Sequence, residues 1–338
     1  MLSDSAMPTR DSKSISSRIG AILSDNFVWV LVVVVSVIAF LIAPVFYSMN
    51  NLYNLLVTFS VLGLLTLAEA IVLLTGEFDN SIEFTLVFSA MVAAWLTVDH
   101  PYASGLQLSA TVGIISALAV GAVIGVVNGV LVGYVRVQSF ITTFASGVVL
   151  TGLGIFMTGG SILMPFPEEF TTLGRDLVGP LPLAGLFVIG VYVIFHLMFR
   201  YTHLGRRLFV VGGNIEAARS LGVNEKQTMM IAFVLAGLLA AIGGWILGGR
   251  LNSASGQMLS GQLLLAYGAA VIGGVRLGGG EAKVSGIFGG VILIASIYTL
   301  MNLAQVDPYV ITATAGSVIL GATLLDAVRS GEFLRSRN

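Results

Sequence analysis

No cysteine occurs among the 338 residues, which excludes disulfides, thiol catalysis and cysteine-ligated metal. Histidine is nearly as scarce: His100, His196 and His203 lie far apart and form no ligand pattern, so no metal site is expected. Charge is the third shortage. Charged residues make up 10% of the chain, against about a quarter in a soluble domain, too few to cover a water-facing surface. A net charge of −1 gives no reason to expect nucleic acid as a partner. A phosphate loop of the G-x-x-x-x-G-K-[ST] kind is missing: Gly278-Gly279-Gly280-Glu281 is glycine-rich but lacks the Lys-Ser/Thr that would follow. No Ser/His or Asp/Asp set with catalytic spacing stands out. The chain is therefore not expected to be an enzyme or to bind a cofactor itself.

What is present is apolar. Hydrophobic residues make up 56% of the chain, and the mean hydropathy is +0.97. In hydrocarbon every backbone amide must be satisfied within the protein, so apolar runs become helices of about 20 residues. Ten such runs are found, at 27–46, 51–74, 82–98, 108–131, 139–158, 181–200, 228–249, 261–275, 284–304 and 309–328. The expected fold is an all-α polytopic membrane protein with about ten transmembrane helices in lipid. The first run exceeds the ~7–15 residues of a cleaved signal core, so it is expected to remain as a helix. The expected organisation is a tail at 1–24, a transmembrane domain at 25–330 with a polar loop at about 201–227, and a tail at 331–338.

Basic residues collect in cytoplasmic loops. With ten spans and both termini cytoplasmic, fourteen of the sixteen Lys and Arg fall inside, leaving Arg175 and Arg250 outside. In the fourth run Gly113, Ala117, Gly121, Gly125, Gly129 and Gly133 recur every four residues. That spacing puts them on one face, where another helix approaches closely. The face is either an internal packing surface or a seam between two copies.

The loop Gly205–Thr228 is too polar to enter lipid. Asn214 suits an N-cap, Glu216 a helix's positive end and Gly222 its exit. A two-turn helix, Ile215 to Leu221, is expected between them. So short a helix is marginal alone and calls for something to dock against.

This loop resembles the cytoplasmic coupling segment of ribose/xylose/galactose-type sugar ABC importer permeases, through Gly205-Arg206, Gly212-Gly213-Asn214, Ala217-Ala218 and Leu221-Gly222-Val223. The likeness continues in Asn128-Gly129, Val137 to Thr143, Ala269 to Gly274 and Leu277 to Gly280. The resemblance implies a type II ABC importer-like permease with inverted repeats, in the bacterial cytoplasmic (inner) membrane. It implies docking of Gly205, Arg206, Asn214, Glu216, Ala217, Ala218, Leu221 and Gly222 on an ABC ATPase subunit, which holds the ATP-Mg. A second permease copy or homologue and a periplasmic or lipid-anchored solute-binding protein complete the implied assembly. Arg250, Asn252 and Ser253 at the outer end are candidates for contact with that binding protein.

Ionisable groups inside a membrane are costly and usually face a cavity, a partner or a substrate. Glu69, Glu77, Asp79, Asn80, Ser81 and Glu83, beside the aromatic Phe84, break the apolar run between the second and third spans. Broken helices commonly build transporter sites, and sugar or polyol hydroxyls pair with such side chains. The family's matching segment reads G-G-I-D-L-S-V-G, so Gly76, Asp79 and Ser81 are retained while Glu77, Asn80 and Glu83 depart from it. The common E-L-D-x-I-A pattern has become Leu263 to Tyr267. The extra carboxylates either serve a polyol or amino-cyclitol or cap helices. An ion-gradient-driven secondary transporter remains the alternative function.

Overall fold

The computed structural model describes residues 27–307 and, discontinuously, positions within 309–324. The two tails and part of the last expected span lie outside the described residues.

A helix that is apolar on every side is most stable when protein surrounds it. Helix α2 (Met49–Leu74) is of this kind, and every residue from Phe59 to Leu74 is buried. Around it the chain runs as α1 (Phe27–Ile42), α3 (Ile82–Thr97), α4 (Ala110–Val130), α5 (Ser139–Thr158), α6 (Glu168–Arg175), α7 (Leu183–Tyr201), α8 (His203–Gly213), α9 (Ile215–Ser220), α10 (Glu225–Leu251), α11 (Gln262–Ile272) and α12 (Val284–Leu303). The only sheet among the described residues is a hairpin of β1 (Leu177–Val178) and β2 (Leu181–Pro182).

Six helices among the described residues, α2, α4 with the π-turn that extends it to Val135, α5, α7, α10 and α12, are long and apolar enough to cross a membrane. Helices α1, α3 and α11 are apolar but shorter. Of the expected ten or so spans, the described residues show six long helices and three short apolar ones, with the last segment described only in part. Helix α11 follows a non-helical stretch, 252–261, and begins only at Gln262. Its 11 residues rise about 16 Å, roughly half of a ~30 Å hydrocarbon layer.

The four-residue stripe is an internal packing face. A Cβ on Gly121 would run into the Gly237 carbonyl of α10, and one on Gly125 would lie 2.6 Å from Val234 Cα. Gly129 packs likewise on Met230, and Gly133 on Lys226. Helices α4 and α10 thus approach backbone to backbone along four turns, while Val112, Ile115, Val123 and Val126 on the other side of α4 are exposed.

Arg136, Arg219 and Glu225 meet at the end of the bundle that carries α8 and α9. Arg175 meets Arg250 at the opposite end.

Candidate functional site

The break after α2 is folded inward. Beyond Leu74 the chain turns into 75–81, and Asp79, Asn80 and Ser81 are buried there with Glu69. Side chains from other helices satisfy this backbone, as buried amides require. The Phe78 N–H donates to Ser139 Oγ at 3.2 Å, and the Asn80 N–H to Thr143 Oγ1 at 2.9 Å. Asp79 Oδ1 accepts the N–H of Ser81 at 2.9 Å and its hydroxyl as well. Asn128 Nδ2 donates to Ser81 Oγ at 2.9 Å, and Ser146 Oγ donates to Asn128 Oδ1 at 2.6 Å. The Tyr267 hydroxyl of α11 reaches Asn80 Oδ1 at 3.4 Å. Glu69 Oε1 accepts the Asp79 N–H at 3.5 Å, while Glu69 Oε2 is buried without a hydrogen-bond partner among the described residues.

Glu69, Asp79, Asn80 and Ser81 are therefore one network. Asn128, Ser139, Thr143, Ser146 and Tyr267 belong to it although the sequence reading did not single them out as site residues. Asn128 carries a signal of its own, an amide near the end of a largely apolar helix. Glu77 is set apart: half-buried, it lies beside Ser139 and within the influence of the Arg136 charge.

Glu83 and Phe84 point elsewhere. Glu83 Oε2 accepts the N–H of Leu263 at 2.8 Å, at the first turn of α11. A carboxylate at a helix N-terminus meets unsatisfied N–H groups and the positive end of the dipole. Beside this contact a cavity of about 300 Å³ is lined by Glu83, Phe84, Phe88, Met91, Thr151 and Ser260, among others. Two aromatic rings, one carboxylate and two hydroxyls face one chamber, and no basic side chain lines it.

At the end that carries α9, each residue expected to take part in coupling has a defined place. Thr202 caps α8 through Gly205, whose Cβ would lie 2.6 Å from Phe199 Cα. Arg206 is exposed beside His203. Asn214 Oδ1 accepts the N–H groups of Glu216 and Ala217, both at 2.9 Å, as an N-cap should. Gly222, at φ +72°, turns the chain out of α9, and Val223 N–H closes on Ala218 O at 2.9 Å. Glu216, Ala217 and Leu221 face outward. Ala218 does not: it is fully buried against Val211 and Met229, so it anchors α9 rather than belonging to its outer surface. Helix α8 ends where Gly212 meets the end of α2. A Cβ there would strike the Leu74 carbonyl and lie 2.6 Å from Gly280 N.

At the opposite end Arg250 is exposed, and its carbonyl accepts Arg175 Nε–H at 3.3 Å. Asn252 ends α10 at φ +55°, and its Oδ1 accepts the Phe166 N–H at 3.1 Å. Ser253 is half-buried beside it.

A family model described as "Branched-chain amino acid transport system / permease component" matches residues 51–328. The ribose import permease protein RbsC of Escherichia coli K12 is 33% identical over 63% of this chain, a match that spans 65% of the relative's length, just under two thirds. The L-arabinose transport system permease protein AraH of the same strain is 30% identical over 92% of this chain and 93% of its own. The galactose/methyl galactoside import permease protein MglC of Haemophilus influenzae is 28% identical over 66% of this chain and 70% of its own. No solved structure matches. With a family model spanning most of its length and a relative matched nearly end to end, the chain belongs to this family of membrane-spanning transport permease components.

Proposed function

We propose that the chain is the permease subunit of an ATP-driven importer for a sugar, polyol or related small hydroxylated solute. The observation that carries this is α9. It is a six-residue helix, too short to persist alone, capped at both ends and fastened by Ala218, with Glu216, Ala217 and Leu221 turned away from the bundle. Such a surface fits the groove of an ATPase subunit, and ATP is hydrolysed there rather than on this chain. Two permease copies, or this chain with a homologue, would enclose the pathway. A periplasmic or lipid-anchored solute-binding protein would dock at the end that carries Arg250, Asn252 and Ser253. Both termini would then be cytoplasmic, in a bacterial inner membrane.

Chamber chemistry supports the solute class. Phe84 and Phe88 offer faces for the C–H side of a sugar ring, and Glu83, Thr151 and Ser260 offer partners for hydroxyls. An amino acid, which the family description also covers, could set its ammonium against Glu83, but its carboxylate would find no basic side chain among the residues lining the chamber. The names of the ribose, arabinose and galactose permeases agree with the sugar-like choice.

The test is a mild-detergent pull-down of the tagged chain with mass spectrometry of what remains bound, followed by ATP-dependent uptake in proteoliposomes. Native chain should retain an ATPase, and Ala217→Arg should release it without unfolding the bundle. Native chain that never retains an ATPase and takes up solute on an ion gradient would overturn the proposal. Glu69 and Asp79 would then be the ion-linked groups.

A further inference from the structure

We infer that Glu225 is the positioning residue that ties the docking helix α9 to the buried segment 77–81. This rests on the ATP-driven reading above and adds the route by which α9 reaches the site. Glu225 Oε1 accepts from two guanidinium groups at once, Arg219 Nε at 3.0 Å and Arg136 Nη2 at 2.8 Å. Arg219 lies on α9, Glu225 opens α10, and Arg136 stands in the turn between α4 and α5. Three separate elements are thus pinned through one oxygen atom.

The pairs are not ordinary surface bridges. The two arginine side chains are 51% and 40% exposed, but Glu225 is only 11% exposed. An exposed ion pair contributes little, whereas a carboxylate withdrawn from water depends on its cations. The charge of Arg136 also acts on Glu77, at the start of the buried segment. Arg219, Glu225 and Arg136 therefore form one ion-paired cluster, two positive charges around one negative.

Beyond Arg136 the path is mechanical. Arg136 adopts φ +68°, a left-handed conformation that non-glycine residues hold only where their surroundings enforce it. Ser139 and Thr143, on the first turns of α5 just after it, accept the N–H groups of Phe78 and Asn80. Displacing α9 draws on Arg219 and Glu225, shifts the Arg136 turn, and so moves the two hydroxyls from which the segment hangs. The buried network of Asp79, Ser81 and Asn128 follows.

The test uses the full chain with its ATPase and binding protein in proteoliposomes, and measures solute imported per ATP hydrolysed. Glu225→Gln and Arg136→Gln should each lower that ratio at least about fivefold, the lower end of ordinary coupling between sites. ATPase retained in the pull-down should match native. The double variant should be no worse than Glu225→Gln alone, and Arg136→Lys, which keeps the charge, should restore most of the ratio. An unchanged ratio in both single variants overturns the inference, as does loss of bound ATPase in parallel with uptake. Should Glu225→Gln fail to assemble, the Arg136 pair decides: equal ratios for Gln and Lys overturn it. Absence of any ATPase from the native chain would overturn the function itself, an outcome separate from all of these.

Discussion

The carboxylate of Glu83 accepts the main-chain N–H of Leu263 at 2.8 Å, joining the first turn of α3 to the first turn of α11. Helix α3 begins among buried residues and α11 begins beside the chamber at the half-buried Gln262 and Leu263, where the first N–H groups of a helix have no partner within it. One side chain answers that need for α11 and, from the same position, lines the chamber. Helix capping and solute contact, which the sequence left as alternatives for this residue, are compatible uses of two carboxylate oxygens.

Substitution separates the two uses. Glu83→Gln keeps an oxygen for the Leu263 N–H, so the fold should lose less than the ~1 kcal/mol typical of a deleted cap. Glu83→Ala should lose about that amount, seen as a lower unfolding temperature in detergent. If Glu83 also holds a solute hydroxyl, Glu83→Gln should raise the KM for uptake several-fold with little change in maximal rate. An unaltered KM would leave capping as its whole role.

Close approach of α4 and α10 predicts a second contrast. Gly121→Val drives a side chain into the Gly237 carbonyl and the Ala241 methyl, whose Cβ lies 2.7 Å from the new Cβ position. Overpacking of this kind costs about 3 kcal/mol at the upper end of its usual range. Gly152→Ala on α5, with nothing within 4 Å, should melt like native. Equal melting of the two variants would contradict the packing described for α4.

How far the sequence discloses these features depends on how local their causes are. The Asn214 cap and the Gly222 exit are legible because a cap acts on N–H groups two or three residues away. Helix α8 is not, since Arg206, Arg207 and the Gly212-Gly213 pair read as loop chemistry. Burial of Leu208 and Val211 decides otherwise. The helix α6 is hidden the same way: its acidic start reads as a polar loop, yet Phe170 and Leu173 are buried. Asp79 and Ser81 stand out as polar residues in an apolar stretch. Their partner Asn128 lies 47 residues from Ser81, and Tyr267 lies 187 from Asn80. No local pattern encodes such pairings; the tertiary fold makes them.

The Asn128–Ser81 hydrogen bond should be measurable as an interaction energy. Asn128→Ala leaves the hydroxyls of Ser81 and Ser146 short of a partner, and Ser81→Ala leaves the Asn128 amide short of one. Contacting residues in one network couple by about 1 kcal/mol. The double variant should therefore be less destabilised than the sum of the singles by about that much, read from unfolding in a fixed detergent. Strict additivity would mean that the two residues do not share a network.

Phe84 predicts a change in solute size preference. Gly147 on α5 leaves room for the Phe84 ring, and a Cβ at that position would strike Cδ2 and lie 2.8 Å from Cε2. Gly147→Ala must therefore turn the ring, and the ring lines the chamber of about 300 Å³. The backbone of α5 is helical on both sides of Gly147, so alanine suits the helix itself. Its effect should fall on the ring. Uptake should show KM raised about tenfold for the preferred solute, the scale of one misplaced methylene in a pocket. A smaller solute of the same class should lose less, because it needs less of the space that the ring invades. Equal loss for solutes of every size would place the transport path away from Phe84 and remove this chamber from it.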